Sequence, residues 1–124
     1  MKYFLEQIPQ DLRVCFEFRY PSWHKESVFE LLEQYATAYC VMSGAHLPCL
    51  LRATADFVYV RLHGPDTHHL YGGSYSDNDL GWWAERIDEW NGQGRDVFVY
   101  FNNDGEGNAV RNAETLKTLI SLER

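Results

Sequence analysis

Two hydrophobic periods take turns along this chain, and that alternation limits the possible folds more than any other feature. Val14 to Arg19 alternates strictly, with Val14, Phe16 and Phe18 on one face and Cys15, Glu17 and Arg19 on the other, which is strand periodicity. After Pro21, the residues Val28, Leu31, Leu32 and Tyr35 recur at helical spacing. Thr37 to Met42 is short and nearly all apolar, as in a strand buried on both sides. Phe57 to His63 alternates again, with Val58, Val60 and Leu62 opposite Phe57, Tyr59, Arg61 and His63. Ser76 with Asp79 three residues on makes a capping box for a helix whose buried side reads Leu80, Trp83, Ala84 and Ile87, and Asn91 to Gly94 closes it. Val97 to Phe101 is the last strand. Ala109 to Ser121 is the last helix, with Ala109, Ala113, Leu116 and Ile120 on one side, and Lys2 to Ile8 is a short helical stretch stopped by Pro9. Strand, helix, strand, loop, strand, helix, strand, helix predicts a parallel α/β architecture.

The 124 residues suit a single domain over 1–124, and a hydrophobic fraction of 45% is enough to build one core. A formal charge of -7 argues against a nonspecific nucleic-acid or anionic-membrane binder, since both need a basic face to displace counterions. The longest apolar runs are about five residues, where a membrane span needs roughly 20, and the start of the chain lacks a signal-peptide core. Cys15, Cys40 and Cys49 show no C-x-x-C spacing, which suggests neither a disulfide framework nor a zinc clip. The expectation is a chain with reduced thiols in a cytoplasm.

In parallel α/β folds, ligands gather at the carboxyl ends of the strands, where the loops form the crevice or barrel mouth. This chain places its unusual polar residues there: Glu17 to Arg19, Arg61 to Gly64, and Asn102 to Asp104. If the aliphatic faces pack on helices, Glu17, Arg19, Arg61 and His63 point into the barrel interior or sheet crevice. A structural ion pair, Glu17 with Arg61 or with Arg19, is the competing reading, because buried pairs often stabilise little and only fill space. The coincidence of several polar strand ends favours a site.

The remaining candidates carry weaker signals. Gly105 to Asn108 sits where a backbone anion nest would form, yet Val110 stands where a third glycine should be, and a turn with a helix cap explains the segment equally well. His68 and His69 fall in a polar loop, and His24 and His46 have no partner visible in sequence. Glu17, His63 and Asp104 could in principle hold a metal, but they are scattered over separate strands and no short ligand motif supports one. Trp23 could stack on a substrate or plug the barrel mouth. Tyr71 to Tyr75 reads as a lid or an ordinary turn. Cys15 faces the side of Glu17 with no adjacent base in the sequence, which speaks against a nucleophilic role.

The strings Phe16-Glu17-Phe18-Arg19-Tyr20-Pro21-Ser22-Trp23, Thr54 to Gly64, Tyr75-Ser76-Asp77, Tyr100-Phe101-Asn102-Asn103-Asp104 and Asn108 to Ala113 resemble the YecE-like family, domain of unknown function 72. The resemblance runs in order over nearly the whole chain. It implies a TIM-barrel-like fold of unsettled activity. Members of that family are roughly twice this length, so the chain resembles their carboxyl-terminal half, about half of a (β/α)8 barrel. Gly72 and Ser74 stand in a loop where many relatives carry a basic residue, and Met42-Ser43-Gly44 replaces an often acidic segment. Both departures weaken a complete anion or metal site.

These residues together lead to the expectation of a hydrolase-like enzyme acting on a small polar or phosphorylated substrate, with no cofactor specified. Glu17 and His63 exchange protons with Asp104 beside them, Arg19 and Arg61 bind the anion, and Asn102 and Asn103 orient the substrate, with Trp23 and Tyr71 as further contacts. A non-catalytic half-barrel serving as a binding module is the alternative, and a nucleic-acid processing module is a further one. The unprotected edge strands Val14–Arg19 and Val97–Phe101 predict a homodimer.

Overall fold

The computed structural model describes residues 1–9 and 11–123, with the backbone alone described for 121–123. Four parallel strands, β1 (Cys15–Phe16), β2 (Ala38–Ser43), β3 (Phe57–Leu62) and β4 (Asp96–Phe101), lie in chain order in one sheet. Helix α1 (Lys2–Gln7) precedes them, α2 (Glu26–Gln34) joins β1 to β2, α3 (Asp77–Gly92) joins β3 to β4, and α4 (Asn108–Glu123) follows β4. The β2–β3 connection carries no helix, as the apolar pattern anticipates; Pro48 lies within it. No helix among the described residues is long and apolar enough to cross a membrane.

The register rows Cys15↔Ala38, Cys40↔Tyr59 and Phe57↔Asp96 put the odd residues of β1 and β3 on one face with the even residues of β2 and β4. The other face holds the main core. Val41, Val58, Val60 and Leu62 are buried there against Leu32, Leu80, Trp83, Ala84 and Ile87, with Phe16, Val97, Val99 and Phe101 packed on the same cluster. Full burial of each such side chain contributes about 1.5–3 kcal/mol, so this face carries most of the hydrophobic stabilisation. Val14, expected on the same face, is half-buried.

Four details differ from the sequence expectation. The first strand is confined to Cys15–Phe16 rather than Val14 to Arg19, because beyond Phe16 the chain leaves β2 and turns through Pro21–Trp23. His24 pins that departure: its Nε2–H donates to the Phe18 carbonyl (2.8 Å) and its Nδ1 accepts from the Tyr39 hydroxyl (2.5 Å). Helix α2 buries Phe29, which meets Tyr39 edge-on at 5.0 Å, in addition to Val28 and Leu32. Helix α4 buries Asn112 where the apolar pattern puts Ala113, and Ala113 is exposed. A polar residue can hold a core position when its amide is hydrogen-bonded, and Asn112 is. Trp90 on α3 also joins the core, while Trp82 stays exposed under the Arg86 guanidinium.

Candidate active site at the strand ends

Strand alternation carries Glu17, Arg61 and His63 onto the concave face, opposite the helices, and the curl of the sheet brings them together. Arg61 Nη1 donates to Glu17 Oε2 at 2.5 Å, and His63 Nε2 donates to Glu17 Oε1 at 2.8 Å. Arg19 Nη2 approaches the same Oε1 at 3.3 Å. Asn102, at the end of β4, accepts from Arg61 Nε (3.2 Å) and Nη2 (2.9 Å) through one amide oxygen. Arg61 is thereby held rigid between β1 and β4. Charge-assisted bonds of this kind are roughly twice as strong as neutral ones.

The electrostatics separate the two central groups. Burial pushes the Glu17 carboxyl up, but the His63 hydrogen bond together with Arg61 and Arg19 outweighs it, so the carboxyl sits below its ordinary range. His63 is fully buried, and that burial, helped by the two guanidinium groups, holds its imidazole below the ordinary value despite Glu17. Near neutral pH the pair is a carboxylate with a neutral imidazole. Since Nε2 carries the proton given to Glu17, Nδ1 presents a lone pair; it is buried with no hydrogen-bond partner.

Tyr71 covers this pair. Its ring meets His63 edge-on at 5.1 Å, and its hydroxyl accepts from Arg19 Nη2 at 3.3 Å. The backbone at Tyr71 is left-handed, with φ 70°, which costs a residue with a side chain about 1–3 kcal/mol and must be held by its surroundings. The holding is visible. Gly64, φ 128°, lies so close to Gly72 that a Cβ there would collide with the Gly72 carbonyl oxygen. The Gly64 amide donates to the Tyr75 hydroxyl (2.9 Å), which reaches Ser43 Oγ (3.2 Å). Asn103 Nδ2 donates to the Gly73 carbonyl (2.9 Å) and to Asn112 Oδ1 (2.8 Å), and the Tyr75 amide donates to that same oxygen (3.0 Å).

Arg61, Tyr71, Asn102, Asp104 and Gly105 line a cleft of about 370 Å³ above the pair. Of the residues proposed from sequence, Glu17, Arg19, Arg61, His63, Tyr71 and Asn102 converge, and Asp104 stands exposed on the rim. Two do not join them. Asn103 is buried behind the site and bonds the loop, so it positions Tyr71 and Tyr75 rather than meeting a substrate. Trp23 stacks on Phe18 at 5.2 Å, on the helix-facing side of the β1 line. The sequence reading gave Ser43 and Asn112 no site role and took Tyr75 only as part of a lid or turn, although Tyr75 and Asn112 both lie in the family strings. A larger groove of about 560 Å³, at the opposite strand ends, runs past Leu5, Ile8, Leu12 and Tyr35, with Glu6 accepting from the Tyr35 hydroxyl at 3.0 Å. Among the described residues no three His, Cys, Asp or Glu groups meet in a metal-binding arrangement.

A family-wide sequence profile described as "Protein of unknown function DUF72" matches residues 1–124. The UPF0759 protein YunF of Bacillus subtilis is 28% identical over 138 residues, which span 91% of this chain and 48% of the relative. A DUF72 family protein of Thermotoga maritima superposes with a TM-score of 0.81 at 26% identity, over 98% of this chain and 49% of that one. A DUF72 family protein of Enterococcus faecalis gives a TM-score of 0.82 at 17% identity, over 97% and 50%. The chain thus spans about half the length of these relatives, and its four parallel strands correspond to about half of a TIM-barrel-like fold. With the profile matched from end to end and the fold matched by its solved members, the chain belongs to the DUF72 family.

Proposed function

We propose that the strand-end cluster binds a small anionic, phosphorylated substrate and hydrolyses it by proton transfer through His63. The convergence of His63, Arg61 and Arg19 on the single carboxylate of Glu17 carries this reading. Two guanidinium groups against one carboxylate and a neutral imidazole leave the cluster itself with one net positive charge, which Asp104 on the cleft rim offsets. An anionic group is therefore met by the Arg61 guanidinium at the cleft wall rather than by a net positive cleft. Glu17 orients the imidazole and stabilises its protonated form once a proton is taken, the role a carboxylate plays beside a general base. Asn102 and Asp104 supply polar contacts at the rim. Cys15, Cys40 and Cys49, all free thiols, suit work in a reducing compartment such as a cytoplasm. The test is a panel of phosphorylated metabolites screened by thermal shift and phosphate release, with Arg61→Ala beside the wild type. A hit stabilising the wild type and not Arg61→Ala supports the proposal; equal responses from both proteins, or no hit at all, sink it.

One observation favours a second reading. Arg61 commits Nε, Nη1 and Nη2 to Glu17 and Asn102, as it would in a binding module whose polar network serves only to shape the concave face. Ligand stabilisation without turnover, unchanged in His63→Gln, identifies that case.

A further inference from the structure

We propose that Cys15 and Cys40 form a two-thiolate site for a soft monovalent cation, Cu(I). In the register of β1 and β2, Cys15 lies beside Ala38. Cys40 comes two residues after Ala38, so its side chain returns to the face that carries Cys15. Both residues line one cleft of about 370 Å³ with Tyr59 and Arg61, and their thiols are in hydrogen-bond contact. Neither is in a disulfide. The third cysteine, Cys49, stands exposed on the β2–β3 connection. The pair is made by two adjoining strands of one chain, and the strand-end mechanism leaves both sulfurs unused.

The donors select the ion. A zinc site takes four nitrogen, sulfur or oxygen ligands, and among the described residues no third His, Cys, Asp or Glu completes a metal-holding group. Glu17, the nearest carboxylate along β1, already has both oxygens engaged by Arg61, His63 and Arg19. Two thiolates and nothing else suit a soft ion that accepts two ligands, which is Cu(I). Its binding breaks two S–H bonds and forms two S–Cu bonds; both protons leave to solvent and no electron is transferred. The product carries one negative charge. Glu17, Arg19 and Arg61, on the same face beside the sulfurs, together carry one positive charge to meet it, whereas a divalent ion would leave a neutral product. The hydrogen bond with Cys15, and then burial, push the Cys40 thiol well above the ordinary thiol range. Cys40 therefore keeps its proton near neutral pH, which makes it a poor nucleophile and admits only an ion whose bonds to sulfur outweigh those to hydrogen.

Anaerobic titration of the reduced protein against a chromophoric Cu(I) chelator is expected to transfer one Cu(I) to each chain, and X-ray absorption to show two Cu–S bonds. Cys15→Ser and Cys40→Ala are each expected to lower the affinity by more than about a hundredfold, beyond the roughly 10–100-fold that loss of a group behind a metal ligand costs. Cys49→Ser should bind as the wild type does. Circular dichroism checks the fold of each variant, and Cys15→Ser, at a partly exposed position, decides the matter by itself where Cys40→Ala fails to fold. A wild type that leaves all the copper with the chelator overturns the proposal, as does a folded Cys15→Ser that still takes it. Copper lost with His63→Gln would place the ion on the imidazole instead, and zinc held as firmly as Cu(I) would rule out a two-ligand site; either result overturns the assignment.

Discussion

His63 Nε2 lies 2.8 Å from Glu17 Oε1, and this bond is made between the residues that directly follow β1 and β3, two strands separated by β2. It fixes the imidazole tautomer and leaves Nδ1 as the nitrogen able to accept a proton. It also links the protonation of the site to folding.

Both members of the pair make stability fall in acid, in two separable windows. The His63 imidazole is held below its ordinary value of 6.5, so the unfolded chain takes up that proton more readily. Stability is therefore expected to decline as pH drops below about 6.5, until the folded imidazole also protonates. Glu17 is held below its ordinary 4.5 and contributes a second loss as pH falls through and below that value. Thermal unfolding from pH 8 to 4 should show the first decline in the wild type and lose it in His63→Gln. An identical pH profile for the two proteins would mean that His63 titrates normally.

Arg61→Ala leaves Glu17 without its shortest hydrogen bond and Asn102 without its donor. Removing one side of a partly buried pair is expected to cost about 1–3 kcal/mol, because the remaining charge keeps its desolvation. Arg61→Lys restores the charge but not the fork that spans Glu17 and Asn102, and should recover only part of the loss. Chemical denaturation of the three proteins measures both effects.

Asn112→Ala should loosen the covering loop more than it loosens the sheet. It strands the Tyr75 amide and one Asn103 hydrogen, and each buried group left unsatisfied costs about 1–3 kcal/mol. Hydrogen exchange is expected to rise first at residues 72–76, well before β2 and β3. Uniform exchange across the molecule would show that the network stabilises the fold as a whole.

Two glycine substitutions should have opposite signs. Gly64→Ala drives a Cβ into backbone oxygen at φ 128°, and is expected to cost more than about 3 kcal/mol. Gly81 lies inside α3, where an added Cβ would meet nothing within 4 Å, and Gly81→Ala should gain about 0.5–1 kcal/mol. Denaturation midpoints decide both, and a neutral Gly64→Ala would mean that the loop re-forms freely around a side chain.

The legible part of this molecule is the part set by short-range periodicity. Alternation along Val14–Arg19 and Phe57–His63 is enough to assign Glu17, Arg61 and His63 to one face and the aliphatic residues to the other, because successive strand side chains must point to opposite sides. The same rule, continued two residues past Phe101, puts Asn102, which meets Arg61, and Asn103, which turns back to Asn112, on opposite sides, a difference that the expectation of two substrate-orienting amides did not draw. The Ser76 cap likewise follows from local chemistry, its Oγ accepting from the Asp79 amide at 3.0 Å. What only the tertiary structure decided is which distant groups meet. Phe16 is the last residue of β1 because β2 accompanies it no further, and Asn112 is buried because Tyr75 and Asn103 arrive from elsewhere to satisfy it. The meeting of Glu17 with residues 44 and 46 positions later depends on sheet order and curl. Periodicity acts over a few residues and carries no information about partners that far along the chain, whereas hydrogen bonds and ion pairs depend on where the whole fold sets each atom.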